Sequence, residues 1–147
     1  MADPLYTAQA TAYHGRDGAV KSSDGILDLE VHPPTELGGP GSGTNPEQLF
    51  AAGYAACFGS SLLFFAARRE IDISDSTVTA RVGLGPDDAG GMGISVELHV
   101  DLPGVDEATA RKLIRSADKG CPYSRATRGN IPHELFLGDE KLEEVAA

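Results

Sequence analysis

Cys57 and Cys121 are the only cysteines in 147 residues, and they stand 64 positions apart. That spacing makes no Cys-x-x-Cys redox pair, and His14, His32, His99 and His133 are scattered without zinc-ligand spacing. Joint chemistry therefore depends on the fold bringing the two sulfurs together. Cys57 lies in a long uncharged run between Ala56 and Phe58. A thiol in apolar surroundings has a raised pKa and is inert, so packing is its simplest role. A fixed cation or hydrogen-bond donors would reverse that by stabilising the thiolate. Cys121 differs, because it precedes Pro122 where a helix would begin, and a helix N-terminus favours a thiolate. If the sulfurs meet, peroxide attack on one and disulfide closure by the other complete a two-cysteine cycle. Inert buried thiols remain the alternative.

Other motifs carry less. The glycines from Gly38 to Gly43 lack the lysine and trailing Ser/Thr of a phosphate loop, and Gly83-Leu84-Gly85 lacks a third glycine at the required spacing. The histidines suit surface or structural roles, and no metal site is expected. Ser60-Ser61 falls inside a helix rather than on the strand-to-helix elbow of a serine hydrolase. Arg111, Lys112, Arg115, Lys119, Arg125 and Arg128 are six of the 12 basic residues. They form either a solvated face or a docking patch for an acidic protein partner near Cys121.

The elements around these residues follow from pattern. Leu5 to Tyr13, Ala19 to Lys21 and Ile26 to Val31 predict a hairpin or meander, with turns at His14–Gly18 and Asp24-Gly25. A Gly/Pro segment from His32 to Thr44 is long for a loop that neither covers nor forms a site. Asn45-Pro46-Glu47-Gln48 is a helix start, with Asn45 as N-cap, Pro46 in the first turn and Gln48 completing a capping box. The helix extends to about Arg69. No charge falls between Leu49 and Ala67, so a membrane span must be weighed. Its small residues, its cap and the neighbouring strands favour instead a buried central helix, with sheet on one side and a second helix or subunit on the other. Thr77 to Leu84 and Gly93 to Leu102 predict paired antiparallel strands, and Asp106 to Lys119 a helix ended by Gly120. Cys121-Pro122 opens a short helix, Ile131 to Leu137 is a last strand, and the tail with Asp139, Glu140, Glu143 and Glu144 is helical or frayed.

Length and composition set the bounds. One domain, 1–147, is the expectation, able to bury about 70% of the surface of its unfolded chain without disulfide staples. A formal net charge of -10 and a sequence pI near 4.7 argue against a nucleic-acid partner. Met1-Ala2-Asp3-Pro4 shows no secretory signal, so a reducing cytoplasm is the expected compartment.

The block from Gly43 to Phe58, Gly-Thr-Asn-Pro-Glu-Gln-Leu-Phe-Ala-Ala-Gly-Tyr-Ala-Ala-Cys-Phe, closely resembles the organic hydroperoxide resistance proteins (Ohr) of the OsmC superfamily. Three further blocks agree: Gly15-Arg16-Asp17-Gly18, Glu36-Leu37-Gly38-Gly39, and Cys121-Pro122-Tyr123-Ser124 with Ala126-Thr127-Arg128-Gly129-Asn130. Together they cover nearly the whole chain. Arg125 and the acidic tail depart from the family pattern without touching the expected chemistry.

The resemblance implies an α+β fold in which antiparallel sheets wrap long central helices in an intertwined homodimer, with active sites at the subunit interface. It implies a thiol peroxidase that reduces alkyl and lipid-derived hydroperoxides, binds no cofactor, and takes electrons from dihydrolipoyl groups on lipoylated proteins. Cys57 would be the peroxidatic cysteine, Cys121 the resolving one, Arg16 the cation that stabilises the Cys57 thiolate, and Glu47 the group that orients Arg16. Phe50, Tyr54, Phe58, Met92 and Tyr123 are candidate walls for an alkyl group. Glu47 and Cys57 are ten residues apart, about 15 Å along one helix. Arg16 can scarcely span that gap, which favours a site completed by a second subunit. A non-enzymatic thiol sensor or ligand-binding dimer is the alternative function.

Overall fold

Asn45 starts the long helix as expected: its side-chain oxygen accepts the Gln48 backbone N–H at 2.8 Å. The reciprocal half of the capping box is absent. The Gln48 side chain instead accepts a hydrogen bond from the Thr44 hydroxyl at 2.9 Å. A computed structural model describes residues 3–143, and the chain separates into two compact units, Met1–Leu49 and Phe50–Ala147. The helix, α1 (Pro46–Ala67), begins in the first and continues through the second.

In the first unit β1 (Ala10–Tyr13), β2 (Gly18–Ser22) and β3 (Asp28–Val31) form an antiparallel meander in the order β1-β2-β3. The Gly/Pro segment returns past β3, bridging Val31 to Thr44. Gly43 makes this pass possible, since a Cβ there would stand 2.8 Å from the Glu30 carbonyl oxygen and 2.7 Å from the His32 ring. Among the described residues of this unit Val31 is the only buried hydrophobic side chain, while Leu5, Tyr6, Tyr13, Ile26, Leu29 and Leu37 are exposed.

The second unit holds the core. β4 (Thr77–Pro86) and β5 (Met92–Asp101) pair antiparallel, and their alternation sends Val78, Ala80, Val82, Val96, Leu98 and Val100 inward. α2 (Glu107–Gly120) is capped by Asp106, which accepts the Thr109 N–H, and buries Ala110, Leu113, Ile114 and Ala117. α3 (Pro122–Thr127) follows after one residue, and then β6 (His133–Leu137) and β7 (Glu140–Lys141). The sheet order is β4-β5-β6-β7. β6 pairs parallel to β5, so this sheet is mixed rather than purely antiparallel; the α2–α3 segment carries the chain back across as the crossover that parallel pairing requires. The tail is not helical at Glu140–Lys141, which extends the sheet and seats Leu142 in the core. The expectation for Glu144, like that for Met1-Ala2, lies outside the described residues.

α1 is long and apolar enough by composition to cross a membrane, with a mean hydropathy of 1.7. Within the unit it serves as a core helix on one side only. Tyr54, Phe58, Leu62 and Ala66, spaced by four, are buried, whereas Ala52, Ala56, Ser60, Leu63, Phe64 and Ala67 face outward.

Candidate functional site

The fold brings the two distant cysteines together. Cys57, in the middle of α1, and Cys121, the single residue between α2 and α3, stand with their sulfurs 3.6 Å apart, the Cys121 thiol donating to Cys57. Both are free thiols, and they differ in access: Cys57 is half-buried, whereas Cys121 has no exposed surface. Burial pushes the Cys57 thiol up, the backbone N–H of Tyr123 pulls it down by hydrogen bonding to the sulfur, and the neighbouring Cys121 raises it. The N–H offered by the first turn of α3 thus reaches Cys57, although sequence reasoning assigned that helix end to Cys121.

Arg16 and Glu47 meet in the first unit. The guanidinium of Arg16, on the turn between β1 and β2, donates from Nη2 to Oε1 at 2.6 Å and from Nη1 to Oε2 at 3.0 Å, a two-pronged pair. Each partner favours the charged form of the other, so the Glu47 carboxyl is held below the usual carboxylate range and Arg16 is raised. Both residues belong to one chain and meet there as a pair. The turn that carries Arg16 is itself tied down by the neighbouring Asp17, whose carboxylate lies 2.8 Å from His32 Nδ1.

Beside Cys57 an open groove of about 420 Å³ is lined by Ser60, Ser61, Phe64, Phe65, Gly120 and Pro122. These are not the walls that the sequence suggested. Tyr54 and Phe58 have no exposed surface and belong to the core, Met92 starts β5 and is exposed at the hairpin, and Phe50 packs against the core edge. Tyr54 has a different task. Its hydroxyl bonds to Ser124 Oγ at 3.0 Å and Thr127 Oγ1 at 2.9 Å, fixing α3 to α1. Its ring stacks on His133 and touches Tyr123 and Phe50. The groove residues were missed because the sequence offered apolar aromatic residues near each cysteine but no way to tell the α1 stripe facing the sheet from the one facing outward. The i, i+4, i+7 series from Cys57 through Ser61 to Phe64 was the available signal.

The family model for OsmC-like proteins matches residues 39–136 of this chain. The organic hydroperoxide resistance protein of Xanthomonas axonopodis pv. citri is 49% identical over 142 residues, covering 93% of this chain and 99% of the relative. This chain belongs to the organic hydroperoxide resistance branch of the OsmC-like family. Solved Ohr structures share its fold. OhrB of Bacillus subtilis superposes with a TM-score of 0.84 at 45% identity, covering 91% of this chain and 99% of that one. A Vibrio cholerae protein described as an organic hydroperoxide resistance protein, with captopril bound in one of its active sites, superposes with a TM-score of 0.90 at 41% identity, covering 96% and 97%. The α+β architecture is therefore that of Ohr proteins.

Proposed function

We propose that this protein is a thiol peroxidase that reduces organic hydroperoxides to alcohols. The observation that carries the reading is the pair of free sulfurs 3.6 Å apart, one reachable from an apolar groove and the other sealed. That asymmetry supports Cys57 as the attacking sulfur and Cys121 as the one that resolves it. The Cys57 thiolate attacks the outer peroxide oxygen, the O–O bond breaks, and the alkoxide leaves as alcohol after taking a proton, so that Cys57 becomes a sulfenic acid. The Cys121 thiolate then attacks the Cys57 sulfur, forming the disulfide and releasing hydroxide, which leaves as water once protonated. A vicinal dithiol of the dihydrolipoyl type, carried on a lipoylated protein, reopens the disulfide and becomes a disulfide in turn. Its second thiol closes its own ring at high effective concentration, which favours release of the reduced enzyme.

The Arg16 guanidinium supplies the positive charge that a thiolate on an apolar helix needs, with Glu47 orienting it. The working form is a homodimer in which this pair completes a site across the subunit interface. Two features support a dimer: a first unit with a single buried hydrophobic residue among those described, and an outward stripe on α1 of Ala52, Ala56, Ser60 and Leu63. The relatives' names support organic hydroperoxides as the substrate class and resistance to them as the setting.

The test is steady-state turnover with tert-butyl hydroperoxide or hydrogen peroxide, supplying dihydrolipoamide or thioredoxin. Turnover of the organic peroxide with dihydrolipoamide is expected, lost in Cys57→Ser. Cys121→Ser is expected to stop at one sulfenic acid per chain, seen as a dimedone adduct by mass spectrometry. Turnover that survives Cys57→Ser refutes the reading.

A further inference from the structure

Six of the 12 basic residues and one of the 22 acidic ones fall between positions 108 and 132, in a chain of net charge -10. The structure sorts those six. Arg111 is held by Glu107 at 2.8 Å and by Glu140 at 2.6 Å. Arg128 is held at 2.6 Å by Asp118, which occupies the one acidic residue of the stretch. Among the described residues Lys112, Arg115, Lys119 and Arg125 have no carboxylate partner, and Glu70, Asp72 and Asp75 beyond α1 pair with none of them. Lys112, Lys119 and Arg125 are exposed and Arg115 is half-buried.

These four cations flank the way in to the cysteines. Lys112, Arg115 and Lys119, at i, i+3 and i+7, lie within about 60° of one another around α2, opposite the residues that it buries in the core. Ser116, in the same arc, accepts a hydrogen bond from Arg69 at 3.2 Å, which sets this stripe alongside the end of α1. Lys119 immediately precedes Gly120, and Arg125 stands three residues after Pro122 on α3. Gly120 and Pro122 line the groove that leads to Cys57. A reducing dithiol must enter there, because Cys121 has no exposed surface.

The extent of the face decides what it can meet. From Lys112 to Lys119 the helix rises about 10 Å, and Arg125 extends the face onto α3, so no single small anion engages it. A neutral dithiol gains nothing from it. A nucleic acid, charged along its whole length, would be repelled by the acidic remainder of the molecule, whereas a folded domain can present one acidic patch to one basic face. Resting on the dithiol-dependent reading above, we propose that Lys112, Arg115, Lys119 and Arg125 dock the acidic protein domain that carries the reducing dithiol. The face steers that domain so that its dithiol enters the groove between Gly120 and Pro122 and reaches Cys57.

The experiment measures turnover of tert-butyl hydroperoxide by the intact protein with two reductants, free dihydrolipoamide and a lipoylated protein domain of net negative charge whose lipoyl group has been reduced. In the unaltered protein kcat/KM for the domain should fall about fivefold as salt is raised from low to above physiological strength, with dihydrolipoamide unchanged. Lys119→Glu/Arg125→Glu should lower kcat/KM for the domain about tenfold, chiefly through KM, and remove its salt dependence, again with dihydrolipoamide unchanged. The milder Lys112→Gln/Arg115→Gln should lower it about threefold in the same donor-selective way. A salt-independent domain, or a loss in the Gln variant that is absent or equal for both reductants, overturns the proposal. So does a change of oligomeric state on charge reversal, seen by sedimentation, which would assign the face to contact between copies of this chain. Binding of a single-stranded oligonucleotide that charge reversal abolishes would assign it to nucleic acid instead. Turnover with dihydrolipoamide, together with a domain indifferent to salt and to both variants, defeats this inference alone, whereas no turnover with either reductant defeats the function on which it rests.

Discussion

Replacing Tyr54 by Phe removes one oxygen from the centre of the second unit, and its effect can be worked from four distances. The phenol bonds to Ser124 Oγ at 3.0 Å and Thr127 Oγ1 at 2.9 Å, and Tyr54 and Ser124 are both fully buried. Thr127 keeps other partners, the carbonyls of Tyr123 and Ser124 at 3.0 and 3.3 Å, so the cost concentrates on Ser124. Stranding a buried hydroxyl costs about 1–3 kcal/mol, and at this chain length 2 kcal/mol lowers Tm by about 4–8 °C. The damage extends to chemistry because α3 also holds the Tyr123 N–H on Cys57. A loss of about 1 kcal/mol of thiolate stabilisation would slow alkylation of Cys57 by iodoacetamide at neutral pH roughly fivefold. Differential scanning calorimetry and timed alkylation in Cys121→Ser and Tyr54→Phe/Cys121→Ser backgrounds measure the two effects. Adding Ser124→Ala to Tyr54→Phe removes the stranded partner and should recover most of the stability, since loss of both partners is nearly neutral. A Tm unchanged by Tyr54→Phe, together with unchanged alkylation, would refute the role of Tyr54 as the anchor of α3; so would a Tyr54→Phe/Ser124→Ala double variant less stable than the single one.

Two further substitutions probe other joints. Glu47 is held below the usual carboxylate range by Arg16, so its contribution to stability is full above that range and is lost as pH falls through the folded-state value. Glu47→Gln should therefore lower the urea midpoint near neutrality by about 0.5–1 kcal/mol equivalent, as for a partly exposed ion pair, with the difference from the unaltered protein closing below the usual carboxylate range. Gly120→Ala would place a Cβ 2.6 Å from Phe65 Cε2 and 2.9 Å from Cζ, forcing the ring to move beside Cys57. It should cost about 1–3 kcal/mol by overpacking and lower kcat/KM more for cumene hydroperoxide than for tert-butyl hydroperoxide, measured side by side.

Local rules carried the sequence reading where short-range physics decides. The Asn45 cap, the Pro46 start and Cys121-Pro122 at the start of α3 each depend on neighbours within four residues, and each is where it was expected; α2 begins one residue later than expected, with Asp106 as its cap. The alternation in β4 and β5 survives because one face is buried against helices. Failures began where partners are distant. The parallel register of β6 on β5 is set by a crossover, and β7 by a two-residue pairing that no periodicity marks. At the site, the family blocks named Cys57, Cys121, Arg16 and Glu47, and the structure brings them together as two pairs, sulfur with sulfur and guanidinium with carboxylate. Tyr54 and Phe58 were misread as substrate walls because an aromatic residue on an apolar helix looks the same whether it meets ligand or sheet; only burial separates the two.

The 3.6 Å between the sulfurs has a consequence for signalling. A disulfide needs about 2.05 Å, so closure requires the atoms to approach by about 1.5 Å, a distance that side-chain rotation can supply without unwinding a turn of helix. A redox sensor broadcasts its state through an element with two arrangements that a partner can tell apart. Closure by side-chain rotation alone would leave α1 and α3 in place, so a partner could tell the two states apart only at the sulfurs themselves.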